Sequence, residues 1–141
     1  MHLSIDEIET CYFLSAMLLE APNISAAPYT IDKNMISRFY RRMMEGLERQ
    51  QFIAPPVDTN DLLVRAANSL HNADWQNCIS YVRQLRVWKS MRGVPQSDVS
   101  AILKNYEGKL KEVSLVVWIF MSADFFKSLS LQQLAEQFEL N

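Results

Sequence analysis

The sequence predicts an all-α fold, a bundle of stacked helical repeats. Apolar residues recur at helical spacing along most of the chain: Leu63, Ala66, Ala67 and Leu70 form one stripe, and Trp75, Cys78, Ile79, Val82 and Leu85 the next. Only 3 glycines (Gly46, Gly93, Gly108) and 5 prolines punctuate 141 residues, too few for the turns a β-rich chain of this length needs. The stretch 66–85, AANSLHNADWQNCISYVRQL, reads as two short amphipathic helices folded back on each other across Asn72-Ala73-Asp74. Asp74 stands where an N-cap belongs, and Trp75 just inside it can lie over the small residues of the preceding helix. The pattern A-x-x-L-x-x-x-D-W-x-x-C is one that helical-repeat scaffolds use to bring two helices close.

The elements follow in order. Ser4-Ile5-Asp6-Glu7 is a capping box that opens a first helix over Ile5 to about Glu20. From Cys11 to Leu19 this helix is apolar on nearly all sides, which predicts a central position with neighbours on more than one face. Pro22 and Pro28 frame a loop, and a second helix is expected from Thr30 or Asp32 to about Gln50. Its apolar stripe is Ile36, Phe39, Tyr40, Met43, Met44 and Leu47, which leaves Arg38, Arg41, Arg42, Glu45, Glu48 and Arg49 to water. Pro55-Pro56 makes an extended link, Asp58 to Asp61 supplies capping groups for a third helix, and the hairpin follows.

Between Gln84 and Gln96 the pattern is irregular, with room for one helical turn before Gly93-Val94-Pro95 breaks it. From Ser97 or Asp98, the positions Val99, Ile102, Leu103, Tyr106, Leu110, Val113 and Val117 hold helical register for about five turns. That register makes 114–121 (SLVVWIFM) helical, although alone it has the composition of a buried strand. Ser130-Leu131-Gln132-Gln133 repeats the capping-box spacing and opens a last short helix, whose apolar stripe stays open at Phe138 and Leu140.

Hydrophobic residues at 49% and charged residues at 21% suit one globular core. The longest apolar runs, Leu115 to Met121 and Tyr12 to Leu19, fall well short of the roughly 20 residues that span a bilayer. The start, MHLSIDEIET, has no basic region ahead of an apolar one, so no secretory signal or transit peptide is expected and the expected location is cytoplasmic. Cys11 and Cys78 both fall on apolar helical faces and are expected to be buried free thiols.

The chemical inventory points away from an enzyme. No C-x-x-C, H-x-x-x-H or H-E-x-x-H spacing offers a metal site, and no G-x-G-x-x-G or G-x-x-x-x-G-K-S/T offers a nucleotide site. No catalytic residue, cofactor, small-molecule substrate or membrane partner is therefore expected. His71 reads as a helix C-terminal residue favourable to the dipole, and Cys78 beside it lacks any oxyanion-forming turn. Two basic clusters remain: Arg38, Arg41 and Arg42 within about one turn, and Arg83, Arg86, Lys89 and Arg92 every three residues around Trp88. Residues 83–111 carry seven bases against Asp98 and Glu107, whereas residues 1–20 carry four acids and no Lys or Arg. The basic clusters are candidates for contact with RNA phosphates, the ribosome or an acidic protein, with a solvated face as the alternative. A direct RNA-binding domain using these faces is the competing functional reading.

With these residues placed, the chain resembles the family of the c subunit of eukaryotic translation initiation factor 3. The resemblance rests on Cys11-Tyr12, the nearly unbroken block Leu14-Ser15-Ala16-Met17-Leu18-Leu19-Glu20 with Pro22, and Met35-Ile36-Ser37. It continues through Glu48-Arg49-Gln50 followed by Pro55-Pro56, Asp74-Trp75 with Cys78, and Phe138-Glu139-Leu140. It implies a right-handed helical-repeat bundle, the helical part of a PCI domain, over residues 1–129, with 130–141 as the first element of a truncated winged helix. It implies a scaffold protein that docks with other subunits of initiation factor 3, especially the a subunit, on the small ribosomal subunit, with rRNA or mRNA within reach. Leu131, Leu134, Phe138 and Leu140 are then candidate contacts to a partner subunit. The family protein is several times longer, so the chain reads as a fragment of a larger protein or a reduced form of it.

Overall fold

A computed structural model describes residues 4–26, 37–48, 58–91 and 93–140, and among them every regular element is a helix. In chain order these are α1 (Ile5–Ala26), α2 (Arg38–Glu48), α3 (Thr59–His71), α4 (Trp75–Arg83), the single turn α5 (Val87–Ser90), α6 (Gln96–Ser122) and α7 (Leu131–Gln137). Helix α1 is central, with α2, α3 and α6 packed against it, and α6 also lies along both helices of the α3–α4 hairpin.

The core sits where these helices meet. Phe13, Met17 and Ala21 of α1, Tyr40 of α2, Ala67 and Leu70 of α3, Cys78 and Val82 of α4, and Leu110 and Val117 of α6 are all fully buried. Burying a side chain the size of Leu70 or Leu110 stabilises the fold by about 1.5–3 kcal/mol. The Phe13 and Tyr40 rings stack at 5.0 Å between centroids, fixing α2 to α1. The Tyr106 hydroxyl donates to the Leu14 carbonyl at 2.8 Å, tying α6 to α1, and Trp88 Nε1 donates to the Val82 carbonyl at 2.7 Å, holding α5 against the end of α4.

The predicted hairpin is present, and its turn is a Schellman motif. Asp74 N donates to the Ser69 carbonyl at 2.9 Å and Ala73 N to the Leu70 carbonyl at 3.0 Å. Ala73 takes the left-handed conformation with φ 59°, a position usually held by glycine. Asp74 then caps α4 by accepting from Asn77 N at 3.1 Å. The Ser4 capping box also forms as predicted: Ser4 N donates to Glu7 Oε2 at 2.9 Å, and Glu7 N to Ser4 Oγ at 3.2 Å.

Several expectations need correction. Helix α1 does not stop near Glu20 but runs through Pro22 to Ala26. The missing proline N–H costs the Leu18 carbonyl its helical donor, and burial of Ile24 on the continuing turn opposes that cost. Ser37 is non-helical, so the second helix begins at Arg38 and is not continuous from Thr30 or Asp32. Residues 27–36 and 49–57, including Pro28, Met35-Ile36 and Pro55-Pro56, lie outside the described residues. Helix α6 spans 27 residues and so exceeds the expected five turns, and it settles 114–121 as helix. Ser130 makes no side-chain capping bond to α7, so the second capping box is not formed. Cys78 is buried but Cys11 is exposed.

Candidate partner-binding surfaces

Both basic clusters look different once placed. Arg38 and Arg42 are exposed on one face of α2, and Arg41 between them is half-buried. Arg83, Arg86 and Lys89 do not form one helical stripe, because α4 ends at Arg83 and buried Leu85 interrupts the period before α5. Arg83 pairs with Glu107 of α6 at 2.5 Å. Arg86 and Lys89 are exposed beside α5, and Arg92 lies outside the described residues.

A second basic side chain explains where more of the local positive charge goes. Lys111 reaches Glu107 at 3.5 Å and Glu139 at 3.1 Å, and its ammonium stands 4.6 Å from the centroid of the Trp75 ring. One side chain thereby joins α6 to the hairpin and to the turn after α7. The Lys111 side chain is only 16% exposed, so its attraction to the ring acts with part of the water removed. Arg83 and Lys111, two of the seven bases over 83–111, are thus paired with acids of this chain, while Arg86, Lys89 and Lys104 are exposed.

The apolar stripe of α7 is closed, contrary to the open stripe expected from sequence. Leu134 and Phe138 are buried, and the Phe138 ring meets Trp118 of α6 edge-on at 6.3 Å. Leu140 is partly buried by a second Schellman turn, in which its N–H donates to the Ala135 carbonyl at 2.8 Å and Glu139 takes φ 51°. Of the four candidate contacts only Leu131 is broadly exposed, at 84%. It has company that the periodicity did not flag: Phe125 at 82% and Phe126 at 52% in the connection after α6, with Ile119, Phe120 and Met121 on its last turns. The available signal was Phe125-Phe126 as adjacent large apolar residues outside any helical register.

Sequence reasoning also missed Glu20. It is 2% exposed, and its Oε1 accepts from Ser37 N at 2.7 Å, while Ser37 Oγ accepts from Tyr40 N at 3.2 Å. This is the reciprocal geometry of a capping box, with the acid supplied by a neighbouring helix. The Tyr12 hydroxyl lies 3.2 Å from Ser37 Oγ, so two residues of α1 set the start of α2.

Buried polar groups in the core are poised for structure. His71 Nε2 and the Tyr40 hydroxyl are 2.7 Å apart, and burial lowers the imidazole to about 4. Burial, then the Glu20 charge, pushes Tyr40 well above the ordinary phenol range. Burial, then the Asp74 charge, pushes the Cys78 thiol up to about 12. Near neutral pH the imidazole is uncharged, so His71 does not stabilise the helix dipole as expected, and the Cys78 thiol is un-ionised and a poor nucleophile. Among the described residues no group of three or more His, Cys, Asp or Glu side chains could hold a metal ion, and no helix is long and apolar enough to cross a membrane.

Together these features define an all-α bundle of packed helical hairpins in which the buried polar groups fasten helices to one another. Comparison with known proteins narrows this further. The chain is 34% identical over 142 residues to the C subunit of eukaryotic translation initiation factor 3 from Mycosarcoma maydis, covering 99% of this chain and 15% of that protein. It is 34% identical over 145 residues to the same factor's C subunit from Bombyx mori, 99% and 16% covered, and 32% identical over 140 residues to that from Dictyostelium discoideum, 99% and 14% covered. The chain therefore spans about 15% of the length of the curated relatives it matches. No protein-family model matches it. Along 99% of its length the chain is thus similar to one region of the C subunit of eukaryotic translation initiation factor 3.

Proposed function

We propose that this chain is a non-enzymatic assembly module of the translation initiation factor 3 complex and acts in the cytoplasm. In this reading it forms the helical part of a PCI domain, α7 begins a winged helix, and the module docks beside other PCI subunits, the a subunit first among them, on the small ribosomal subunit. The observation that carries the reading is the match to C-subunit sequences along 99% of the chain. The surface supports it: apolar side chains around Phe125, Phe126 and Leu131 are unburied next to a well-packed core, which is how a protein-binding patch differs from scattered exposed residues. Exposed Arg86, Lys89, Arg38 and Arg42 are the candidate contacts to rRNA or to an acidic ribosomal protein.

Pull-down of the tagged chain with the other initiation factor 3 subunits and with small ribosomal subunits tests the proposal. Retention of the a subunit is expected, weakened by Phe125→Ser with Leu131→Ser. Retention of neither the subunits nor the ribosomal particle would refute it. Charge reversal at Arg86 and Lys89 separates the competing RNA-binding reading: for a direct RNA binder it weakens RNA affinity and flattens the salt dependence.

A further inference from the structure

Helix α1 buries one face against α2, α3 and α6 and leaves a second apolar stripe outside. Ile5, Ile8, Tyr12, Ser15 and Leu19 recur at alternating steps of three and four, the spacing of a coiled-coil seam, and all are exposed, Ile5 at 74% and Leu19 at 71%. Towards Ser37, Tyr12, Ser15, Ala16 and Leu19 line an open groove of about 230 Å³ whose walls are almost wholly apolar. On the same flank, nearer the start of α1, Asp6, Glu9 and Asp58 line a second cavity of about 230 Å³, floored by Phe39 and Leu63. Between residues 1 and 26 there is no Lys or Arg.

We infer that the outer stripe of α1 docks an amphipathic helix of a partner protein, one with apolar residues in three-four spacing and Lys or Arg on its flank. The seam supplies holes for knobs at helical spacing, and the adjoining carboxylates supply the charge that selects the flank. One basic side chain of the partner enters the Asp6, Glu9 and Asp58 cavity with its stem over Phe39. Parallel pairing of α1 with α1 of a second copy is disfavoured by the same layout, because it would bring these carboxylates together. This surface is separate from the Phe125, Phe126 and Leu131 patch and does not depend on the function proposed above.

The test uses two fluorescein-labelled 21-residue helical peptides with Leu at the seam positions, one with Lys and one with Glu on the flanks, titrated with the 141-residue chain. The Lys peptide binds, weakening severalfold as salt is raised, and the Glu peptide binds at least tenfold more weakly. Ile8→Gln with Leu19→Gln, both at exposed positions, weakens the Lys peptide at least tenfold, and Asp6→Asn with Glu9→Gln weakens it about threefold. Phe125→Ser leaves binding unchanged. Absence of Lys-peptide binding, equal binding of both peptides, unchanged binding by the seam variant, or loss through Phe125→Ser would overturn the inference. So would a dimer in sedimentation that the seam variant dissociates, since the occupant would then be a second copy.

Discussion

Lowering the pH should uncouple the Tyr40–His71 contact and reveal how much the core depends on a neutral imidazole. His71 is held at about 4, below its ordinary 6.5, because burial disfavours the charged ring. Between those values the unfolded chain binds a proton that the folded chain refuses, so stability is fully present above pH 6.5, falls as the pH drops towards 4, and loses no more from this group below that. The shift of 2.5 units, at about 1.4 kcal/mol each, amounts to about 3 kcal/mol before a modest reduction for the water that still reaches the ring. Urea unfolding followed by tryptophan fluorescence, repeated from pH 7.5 to 4.5, measures this directly. His71→Leu leaves the buried Tyr40 hydroxyl without its partner and is expected to be about 1–3 kcal/mol less stable at pH 7.5. The gap from the native chain should close, or reverse, by pH 4.5. Carboxylates contribute equally to both proteins, so only the change in the gap reports on His71. A gap that stays constant across this range refutes the reasoning. So does an NMR titration placing the His71 ring near 6.5, which is readily assigned because His2 is the only other histidine.

Two substitutions probe the hairpin. Asp74→Ala removes the cap on Asn77 N and should lower stability by about 1 kcal/mol in the same unfolding assay; no change would mean that the cap contributes nothing. Ala73→Gly should raise it by about 0.5–1 kcal/mol, since relief at φ 59° outweighs the added freedom of the unfolded chain; a loss of stability would contradict the Schellman assignment.

Local chemistry was legible in the sequence wherever cause and effect lie within one turn. Ser4 and Glu7 find each other at three residues' distance, and Asp74 finds Asn77 in the same way. The boundaries that were missed answer to distant residues. Helix α2 starts at Arg38 because Glu20, seventeen residues earlier on another helix, accepts from Ser37 N, and no local pattern encodes that meeting. Pro22 stays inside α1 because the turn beyond it buries Ile24. The candidate surfaces were harder still. A basic residue on a helix reads the same whether it faces water, as Arg86 does, or an acid on a neighbouring helix, as Arg83 does. Periodicity marked Leu134 and Phe138 as apolar, and only the packing of α7 against Trp118 shows that their surface is already used.

The hairpin itself bears on where a partner could act. Its turn, through Ala73, Asp74 and Trp75, shares a surface hollow with Gln137 and Phe138 at the end of α7. Lys111 lies over Trp75 and pairs with Glu139, while Trp118, one turn from the exposed apolar residues of α6, contacts both Phe126 and Phe138. The hairpin, α6 and α7 are therefore fastened by a continuous chain of contacts. A protein seated on Phe125, Phe126 and Leu131 would press on Trp118, and through Phe138 and Lys111 on the hairpin turn. The hairpin thus works as an anchor: it fixes α7 relative to α6, and with it the orientation of the exposed apolar side chains between them.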